Sequence, residues 1–443
     1  MGAQARTGDH SGTLTGLIVL ILGIIIAIAL HEVGHLLPAK LFGVKVPKYF
    51  IGFGPTLFSK TIRGTEYGVK AIPLGGFVQL NGMYAPGKEG APLLNRKGQL
   101  TLAEEARQVS AQQIEPGEEE HAFYRLSVPK KLAVMFGGPF VNLLIALFLA
   151  AVLLVGIGAP ALLPKVGAIP ECVSATGQCT DSDPVTPAEQ GGLQPGDEII
   201  SWGGTATDSW TDVQQAIASG QASATPVVIE RAGERMTLTI TPVMQERPVV
   251  GDDNQVVTEN GRTVTHVVPY VGVAPAVGLE QQSITQVPGY VGSLLTQITG
   301  VIVRLPVELW NLTSDFVTGE DRDPTSIVGI IGVANVAGQI TGAEIDGYTG
   351  IEKSADLINL LIALNISLFA FNMLPLLPLD GGHIAGALYE GARRQWAKLR
   401  GKPDPGPADT ARLMPLSYAV AMAFILMTLI LVVVDIFNPV TLY

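Results

Sequence analysis

The sequence is short of charged residues, of cysteine and of net positive charge. Asp, Glu, Lys and Arg make up 15% of its 443 residues, whereas an ordinary soluble domain carries roughly 25%. Two cysteines are too few for a disulfide scaffold, and 47% hydrophobic residues exclude a disordered chain. A net charge of −11 argues against nucleic acid as a partner. The shortage of charge indicates that part of the chain lies in lipid.

Four long apolar runs account for the missing charge. They cover residues 14–30 (with apolar character continuing to residue 37), 132–156, 357–374 and 414–434. Each approaches or exceeds the roughly 20 residues that a helix needs to cross a bilayer core. Two shorter, glycine-interrupted runs, 291–303 and 327–340, are predicted to be interfacial or packing helices. The sequence therefore predicts a polytopic α-helical membrane protein with about four transmembrane helices.

The charges between these runs sort by sign. Residues 38–131 hold 13 Lys and Arg against 8 Asp and Glu, residues 375–412 hold 6 against 4, and residues 158–354 hold 8 against 23. Because basic loops stay in the cytoplasm, the first two segments are predicted to be cytoplasmic and the third exported, with both termini outside. A signal peptide is the alternative for the first run, but the region before it has no net positive charge.

One motif near the end of the first run carries chemistry. Residues 31–35 read His-Glu-Val-Gly-His, so that on a helix both imidazoles face the same way and can reach one metal ion. Glu32 can then act as the general base for a water molecule. Titratable groups inside a membrane helix normally mark function. The alternative is a helix end at which His31, Glu32 and His35 merely leave the lipid.

A hydrolytic zinc site needs three protein ligands and one open position. Asp380 follows the third apolar run on the predicted cytoplasmic side, at the depth of His31, whereas Asp356 and Asp435 lie at the predicted outer ends of their runs. The alternatives are a turn-forming role for Asp380 before two glycines and ligation by His383 in its place. The topology favours Asp380 as the third ligand.

The HEVGH motif, together with FNMLPLLPLDGG at residues 371–382, resembles the site-2 protease family of intramembrane zinc metalloproteases. The closest resemblance is to the bacterial branch with four spans and an exported PDZ domain, which includes the regulator of sigma-E protease and its actinobacterial relatives. The resemblance implies one Zn²⁺ per chain. It also implies that the ligands are His31, His35 and Asp380 and that Glu32 is catalytic.

The same resemblance extends to two asparagines. Asn372 lies upstream of the LDG sequence, at the position that the family uses near bound substrate. Asn142 ends the GGPFVN stretch of the second span and would offer a polar group near the active site, where Gly138 allows helices to approach closely. An interhelical hydrogen bond is the alternative role for Asn142.

Residues 45–83 alternate apolar and polar side chains between Gly and Pro breaks, which predicts three or four short strands. They resemble the family's membrane-associated β-hairpin element, whose exposed edge can pair with an unwound substrate by strand addition. We expect that edge near residues 72–77, which makes Gly75, Gly76 and Phe77 candidate substrate-binding residues. An ordinary cytoplasmic hairpin is the alternative. Residues 95–121 are predicted to be a polar helix or loop without chemistry.

Residues 165–275 resemble the α+β PDZ domains of proteases. A strand is predicted at 198–202, a helix at 210–218, further strands near 227–231 and 236–241, and an inserted hairpin at 244–270 with Asn260-Gly261 as its turn. Only one such domain is present, and the DPTSIVGI stretch at 323–330 lacks the Gly-Pro pair that the family often has. Cys172 and Cys179 form either a local disulfide or two free thiols.

The boundaries that follow are 1–37 for the N-terminus and first span, 38–131 for the cytoplasmic hairpin and polar loop, 132–157 for the second span, 165–275 for the PDZ domain, 276–354 for an exported amphipathic linker, 355–374 for the third span, 375–413 for the LDG motif and cytoplasmic loop, and 414–436 for the fourth span.

The resemblance implies a protease of the bacterial cell membrane with its active site near the cytoplasmic side. Its substrates would be single-span membrane proteins such as anti-sigma factors, cut in the bilayer after a first extracytoplasmic cleavage, and the PDZ domain would bind or screen the clipped ends. A membrane-tethered PDZ scaffold is one rival, which the intact Glu32 disfavours. A metal transporter is the other, which the scarcity of polar residues in the second and fourth spans disfavours.

Overall fold

In a computed structural model the chain forms two compact units, Met1–Gly156 together with Ser283–Tyr443, and Ile157–Gln282. We call them the helical unit and the strand unit and describe each by itself. The structure describes residues 10–87, 93–173, 179, 183–248, 258–259, 262–320, 322–323, 326–344 and 348–442.

Within the described residues, helices are numbered along the whole chain. They are α1 (His10–Leu41), α2 (Leu102–Gln112), α3 (Val128–Ala151, continued by a π-helical turn at Val152–Ile157), α4 (Pro187–Gln190), α5 (Trp210–Ser219), α6 (Val287–Thr318), α7 (Ile330–Gly342), α8 (Gly350–Asn372), α9 (Asp380–Leu399) and α10 (Met414–Phe437). The two helices α4 and α5 belong to the strand unit, and the others to the helical unit. Single 3-10 turns lie at Glu119–His121, Phe123–Arg125, Ile284–Gln286 and Thr410–Leu413.

Five helical segments in the described part of the chain are long and apolar enough to cross a membrane: Thr13–Leu41, Val128–Ile157, Ile284–Thr318, Gly350–Asn372 and Thr410–Phe437. Four of them match the predicted spans. The additional one is α6, which we predicted only as a short helix over 291–303 because Arg304 and Pro306 follow. That prediction was wrong about its length, since the helix continues through Pro306 to Thr318. The second short run became the 13-residue α7.

Helices α1 and α3 cross with their main chains in contact. A Cβ atom at Gly34 would overlap the main chain of Gly137, and one at Gly137 would overlap that of Gly34. Nearby, the ring atom Nδ1 of His35 lies 2.7 Å from the carbonyl oxygen of Val134. Small residues let helix backbones approach closely in a membrane. The pair of glycines therefore fixes how these two helices meet.

Helix α7 is capped by a carboxylate from another helix. Asp435, near the end of α10, accepts hydrogen bonds from the main-chain N–H groups of Gly329 (2.9 Å) and Gly332 (2.8 Å). It also pairs with the buried Arg322 at 3.0 Å. These bonds satisfy donors that the first turn of a helix leaves free. Asp435 thus has a structural role. This agrees with its predicted position at the outer end of its span, far from the two histidines.

The β element of the helical unit has two strands of 15 residues each, β1 (Lys48–Ile62) and β2 (Thr65–Gln79). We predicted three or four short strands, whereas the structure has two long strands that continue through the predicted breaks. Both strands bend, so residues 48–51 pair with 66–69 on one side and with 76–79 on the other, while 66–69 also pair with 58–61. Residues 76–79 are thus at one edge of the sheet within the described residues.

The strand unit contains β3 (Ala159–Ala168), β4 (Glu198–Trp202), β5 (Thr205–Ala206), β6 (Thr225–Arg231), β7 (Glu234–Ile240), β8 (Val243–Pro248), β9 (Thr258–Glu259), β10 (Arg262–Thr263), β11 (Thr265–Tyr270) and β12 (Ala274–Glu280). Its main sheet has the order β12-β3-β4-β6-β7, with β5 paired to β4. The predicted strands and the helix at 210–218 are confirmed within a residue or two. The predicted hairpin is confirmed by the pairing of β8 with β11, and its Asn260-Gly261 turn lies outside the described residues.

The strand unit is held by an apolar core and by two specific links. The core includes Ile199, Val213 and Ile229, all fully buried. Asp197 is buried at the turn before β4 and accepts hydrogen bonds from Arg231 at 2.7 Å and 2.8 Å. Cys172 and Cys179 are joined in a disulfide.

Candidate active site

Three side chains from two helices converge on one point. The Nε2 atoms of His31 and His35, one helical turn apart on α1, are 3.2 Å from each other. The Oδ2 atom of Asp380, the first residue of α9, is 3.3 Å from each of those nitrogens. One ligand atom from each residue lies within 4.8 Å of the other two. The structure thus brings together the three residues that the sequence predicts as metal ligands.

The spacing of these atoms fits a zinc ion. With bonds of about 2.0–2.1 Å in a tetrahedral arrangement, two ligand atoms lie roughly 3.3 Å apart. Two nitrogens and one oxygen are also a donor set that zinc accepts in catalytic sites, with the fourth position left for water or substrate. The residues present therefore fit the ion that the sequence implies.

Glycines make room for the cluster. A Cβ atom at Gly138 of α3 would overlap the Nε2 atom of His35 and lie 2.8 Å from that of His31. Cβ atoms at Gly381 and Gly382 would overlap the main chain of residues 373–377. Because these residues lack side chains, α9 can begin against the segment that follows α8. This packing sets the position of Asp380.

A cavity of about 440 Å³ contains the cluster. Every residue that the sequence predicted for the site lines it: His31, Glu32, His35, Gly75, Gly76, Phe77, Asn142, Asn372 and Asp380. His383, the competing ligand, also lines the cavity, but it is not among the three residues whose ligand atoms cluster. The geometry therefore favours Asp380 over His383.

The edge of the β-sheet forms one wall of this cavity, beside Glu32. A Cβ atom at Gly76 would lie 3.0 Å from Cγ of Glu32, so the strand and the carboxylate side chain are in contact. In the neighbouring strand β1, the hydroxyl of Tyr49 donates to the carbonyl oxygen of Ala29 in α1 at 2.8 Å. These contacts fix the strand against α1.

Asn142 is fully buried and touches the cluster from behind. Its Nδ2 atom is 3.1 Å from Nδ1 of His31, the ring nitrogen that faces away from the other ligands. Such outer contacts orient a ligating imidazole. The interhelical hydrogen bond that we considered as an alternative for Asn142 is therefore present, and Asn142 lines the cavity as well.

Several residues that build the site were not predicted from the sequence. Gly34 and Gly137 set the crossing of α1 and α3, and the carbonyl group of Val134 holds His35. The signal for the glycines was present, since both lie within apolar runs where small residues mark helix contacts. Main-chain groups such as the Val134 carbonyl carry no signal in the sequence.

The site combines two histidines one helical turn apart, a glutamate next to the first of them and a carboxylate from a second helix, and it lies among apolar helices. This combination defines a membrane zinc metalloprotease. Residues 19–403 match the family described as Peptidase family M50. The chain therefore belongs to peptidase family M50, the site-2 protease family.

Relatives of known name point the same way. The chain is 30% identical over 449 residues to the zinc metalloprotease Rip1 of Mycobacterium tuberculosis, covering 97% of this chain and 99% of that protein. It is also 30% identical over 444 residues to Rip1 of Mycolicibacterium smegmatis, covering 97% and 98%. The metalloprotease MmpA of Caulobacter vibrioides is 28% identical over 396 residues, which cover 87% and 88%.

Proposed function

We propose that this chain is an intramembrane endopeptidase that cuts the transmembrane segments of single-span membrane proteins. The observation that supports the proposal best is the cluster of His31, His35 and Asp380 beside Glu32 in a cavity bordered by a free strand edge. The cluster supplies a metal site and Glu32 a base. The edge supplies main-chain groups that an extended peptide can pair with.

In this proposal His31, His35 and Asp380 hold one zinc ion. A zinc ion at such a site supplies a lowered pKa for a water ligand and polarisation of the scissile carbonyl. The Glu32 carboxylate takes a proton from the attacking water and passes it to the amide nitrogen that leaves. Bond formation to the carbonyl carbon and cleavage of the C–N bond are thus linked through one side chain.

The strand edge addresses the main obstacle to such a reaction. A transmembrane helix hides its peptide bonds in its own hydrogen bonds, so the segment to be cut must become extended. Residues 76–78 line the cavity, and the side chain of Glu32 packs beside Gly76. A substrate strand added to this edge would lie between β2 and the zinc ligands. We assign Gly75, Gly76 and Phe77 to this role, together with Asn372, which lines the same cavity.

The contacts between helices support four spans rather than five. Asn142 near His31 and Val134 near His35 make α3 antiparallel to α1. Helix α8 runs in the direction of α1, because Gly23 packs on Leu361 and Asp380 follows the α8 end that lies near His31. Helix α7 contacts the first turns of α1 and receives its cap from the end of α10. The start of α1 and the end of α10 therefore lie on one face.

Both ends of α6 belong to that same face. Ala159, two residues after the π-helical turn of α3, pairs with Glu280, seven residues before α6. Beyond the other end of α6, Arg322 is bonded to Asp435 at the end of α10. A helix that begins and ends on one side does not cross the bilayer, in spite of its 32 residues. We therefore propose that α6 lies along the outer face and that the four spans are α1, α3, α8 and α10.

With the basic loops inside, we propose that the strand unit and both termini lie outside and that the zinc site lies near the cytoplasmic side. We propose that the strand unit is a PDZ domain that binds or screens the ends of substrates already cut outside. By resemblance to the family, anti-sigma factors are the proposed substrates, and the bacterial cell membrane is the proposed location.

The proposal is tested with the purified full chain, a single-span model substrate and the variant Glu32→Gln. Glutamine keeps the shape of the side chain but cannot take a proton, so we expect cleavage to fall by about 10²–10⁴-fold while the zinc content stays at one per chain. His31→Ala and Asp380→Ala should lose the zinc. Equal cleavage by Glu32→Gln and the unchanged protein would overturn the mechanism, and a scaffold would show no Glu32-dependent cleavage at all.

A further inference from the structure

A second cavity adjoins the active site on the side of α10. It has a volume of about 420 Å³ and lies between the end of β2, helix α2 and the first turns of α10. Val78, Leu80 and Met83 line both this cavity and the active-site cavity. The strand edge beside Glu32 therefore leads directly into the second cavity, which we call the α2 groove.

The α2 groove has an exposed apolar stripe among more polar lining residues. Leu102 and Val109 of α2 are 39% and 56% exposed, and Tyr418 of α10 is 53% exposed. Ala106 of α2 completes the stripe between them. Apolar side chains gathered in an open concavity are typical of a binding site rather than of a solvated surface.

A buried ion pair keeps α2 in place. Arg107, 5% exposed, donates to both carboxylate oxygens of Asp409 at 2.8 Å and to Glu104 at 3.2 Å. On the same helix, the hydroxyl of Ser110 accepts from the main-chain N–H of Tyr84 at 3.0 Å. These bonds join α2 to the chain just before α10 and to the segment after β2. The groove is therefore formed before any ligand binds.

We propose that the α2 groove is a substrate subsite that takes a large apolar side chain from the cytoplasmic flank of the cleaved segment. The proposal rests on the proposed function. A strand advances about 3.3 Å per residue, so the edge from Gly76, beside Glu32, to Leu80 covers about 13 Å. A peptide paired with this edge and cut beside Glu32 brings a residue about two to four positions from the scissile bond to the groove. Met414 lines the groove and begins α10 at the proposed cytoplasmic end. The groove therefore takes a residue from the cytoplasmic flank of the substrate.

The test compares two tryptophan substitutions in α2. Ala106→Trp fills the groove, whereas Ala111→Trp adds the same side chain at an exposed position outside it. The purified full chain is given model substrates with Leu, Ala or Asp at each of the positions two to four residues from the cut. We expect a preference for Leu over Asp of about tenfold or more in kcat/KM at one position. Ala106→Trp should remove that preference, and Ala111→Trp should keep it.

A variant with an enlarged groove and a crosslinking experiment guard against misfolding and against failure of the proposed function itself. Val109→Ala enlarges the groove gently and should move the preference from Leu toward Phe or Trp. In the Glu32→Gln background, a photoreactive benzoylphenylalanine at position 109 should crosslink to the substrate, and one at position 111 should not.

The outcomes separate the two proposals. Absence of a positional preference in the unchanged protein, equal effects of the two tryptophans, or equal crosslinking from 109 and 111 would each overturn the subsite. If cleavage stays dependent on Glu32 in those cases, the proposed function stands and only the subsite fails. Cleavage that does not depend on Glu32 would overturn the proposed function, while the crosslinks still decide the subsite.

Discussion

The amide of Asn142 in α3 faces the ring nitrogen Nδ1 of His31 in α1 at 3.1 Å. Its other amide atom, Oδ1, is buried and has no hydrogen-bond partner among the described residues. If His31 binds a metal through Nε2, its Nδ1 keeps a proton and needs an acceptor. A half-turn of the Asn142 amide brings Oδ1 to that proton. In that orientation Asn142 would hold the His31 ring with Nε2 directed at the metal position.

Asn142→Ala should therefore weaken zinc binding by about 10–100-fold, the usual cost of losing a partner behind a ligating histidine. The measurement is zinc content during competition with a chelator of known affinity. Asn365→Ala is a matched control, because Asn365 is also a buried asparagine but bonds to Leu361 of its own helix. Equal zinc affinity in Asn142→Ala and the unchanged protein would contradict this role.

Gly138→Ala should destroy the metal site without removing a ligand. The added methyl group would overlap Nε2 of His35 and press on that of His31. Displacement by about 1 Å can cost 10²-fold in rate, so we expect cleavage at or below about 1% together with loss of zinc. Gly300→Ala serves as the control, because a Cβ atom there meets nothing within 4 Å. Full zinc occupancy in Gly138→Ala would show that the helices have more room than the structure gives them.

Gly76→Ala should separate the strand edge from the base. Its Cβ atom would lie 3.0 Å from both Cγ of Glu32 and the carbonyl oxygen of Phe50. Because the ligands are not crowded directly, zinc should stay bound while kcat falls by about tenfold, a part of the 10²-fold cost of a 1 Å error. Kinetics and metal analysis on the same preparation check both parts. An unchanged kcat would argue against contact between the substrate and this strand.

Asp435→Leu should lower the thermal stability of the helical unit. It removes the carboxylate that pairs with the buried Arg322 and caps α7, and breaking a buried pair in this way costs about 3–5 kcal/mol. The midpoint of unfolding in detergent should fall by several degrees. Arg235→Met, which breaks an exposed pair with Glu230, should change it little. The double variant Arg322→Met with Asp435→Leu should recover part of the loss.

The pH dependence of the strand unit should reflect Asp197. Burial alone would raise the pKa of Asp197, but hydrogen bonds from Arg231 and from the main chain of Gln194 hold the pKa below its usual value. A lowered pKa in the folded state adds stability above the unfolded pKa of about 3.9. That stability disappears as the pH falls through the folded value. The protection factors of amide hydrogen exchange in β4 and β6 of the full chain, which correct for the intrinsic slowing of exchange in acid, should therefore be high at pH 7 and fall below about pH 4. In Asp197→Asn this acid-induced change should be much smaller.

The residues that carry the chemistry of the site could be predicted from the sequence more completely than the architecture that holds them. The HEVGH spacing and the position of Asp380 after the third apolar run were enough to bring three ligands together, because helical periodicity and membrane depth are both readable from residue type. The double pairing of residues 48–51 was not predictable, since it depends on where β1 and β2 bend. Nor did Asp435 signal its role, because the main-chain donors that it caps are present in every residue.

The length of α6 was missed for a related reason. Arg304 and Pro306 end a helix in most sequences, but here packing of Leu312 against Leu431 and Val434 continues it beyond them. The α2 groove was invisible because residues 95–121 looked only polar. Its function depends on a few apolar residues that face β2 and α10, and that arrangement exists only in the fold.

The contact between Gly34 and Gly137 has a consequence for motion. Main chains that touch cannot slide past each other without overlap, and separating them would open a void in a close-packed interface. Helices α1 and α3 must therefore move as one body, which carries both histidines, Glu32 and Asn142 with it. Helix α7 moves with them, since Gly16 of α1 makes a similar contact with the main chain of Ala337 in α7. Any opening that admits a polypeptide must then come from α10 or from the segment between α8 and α9, while the two histidines, Glu32 and Asn142 keep their positions relative to one another.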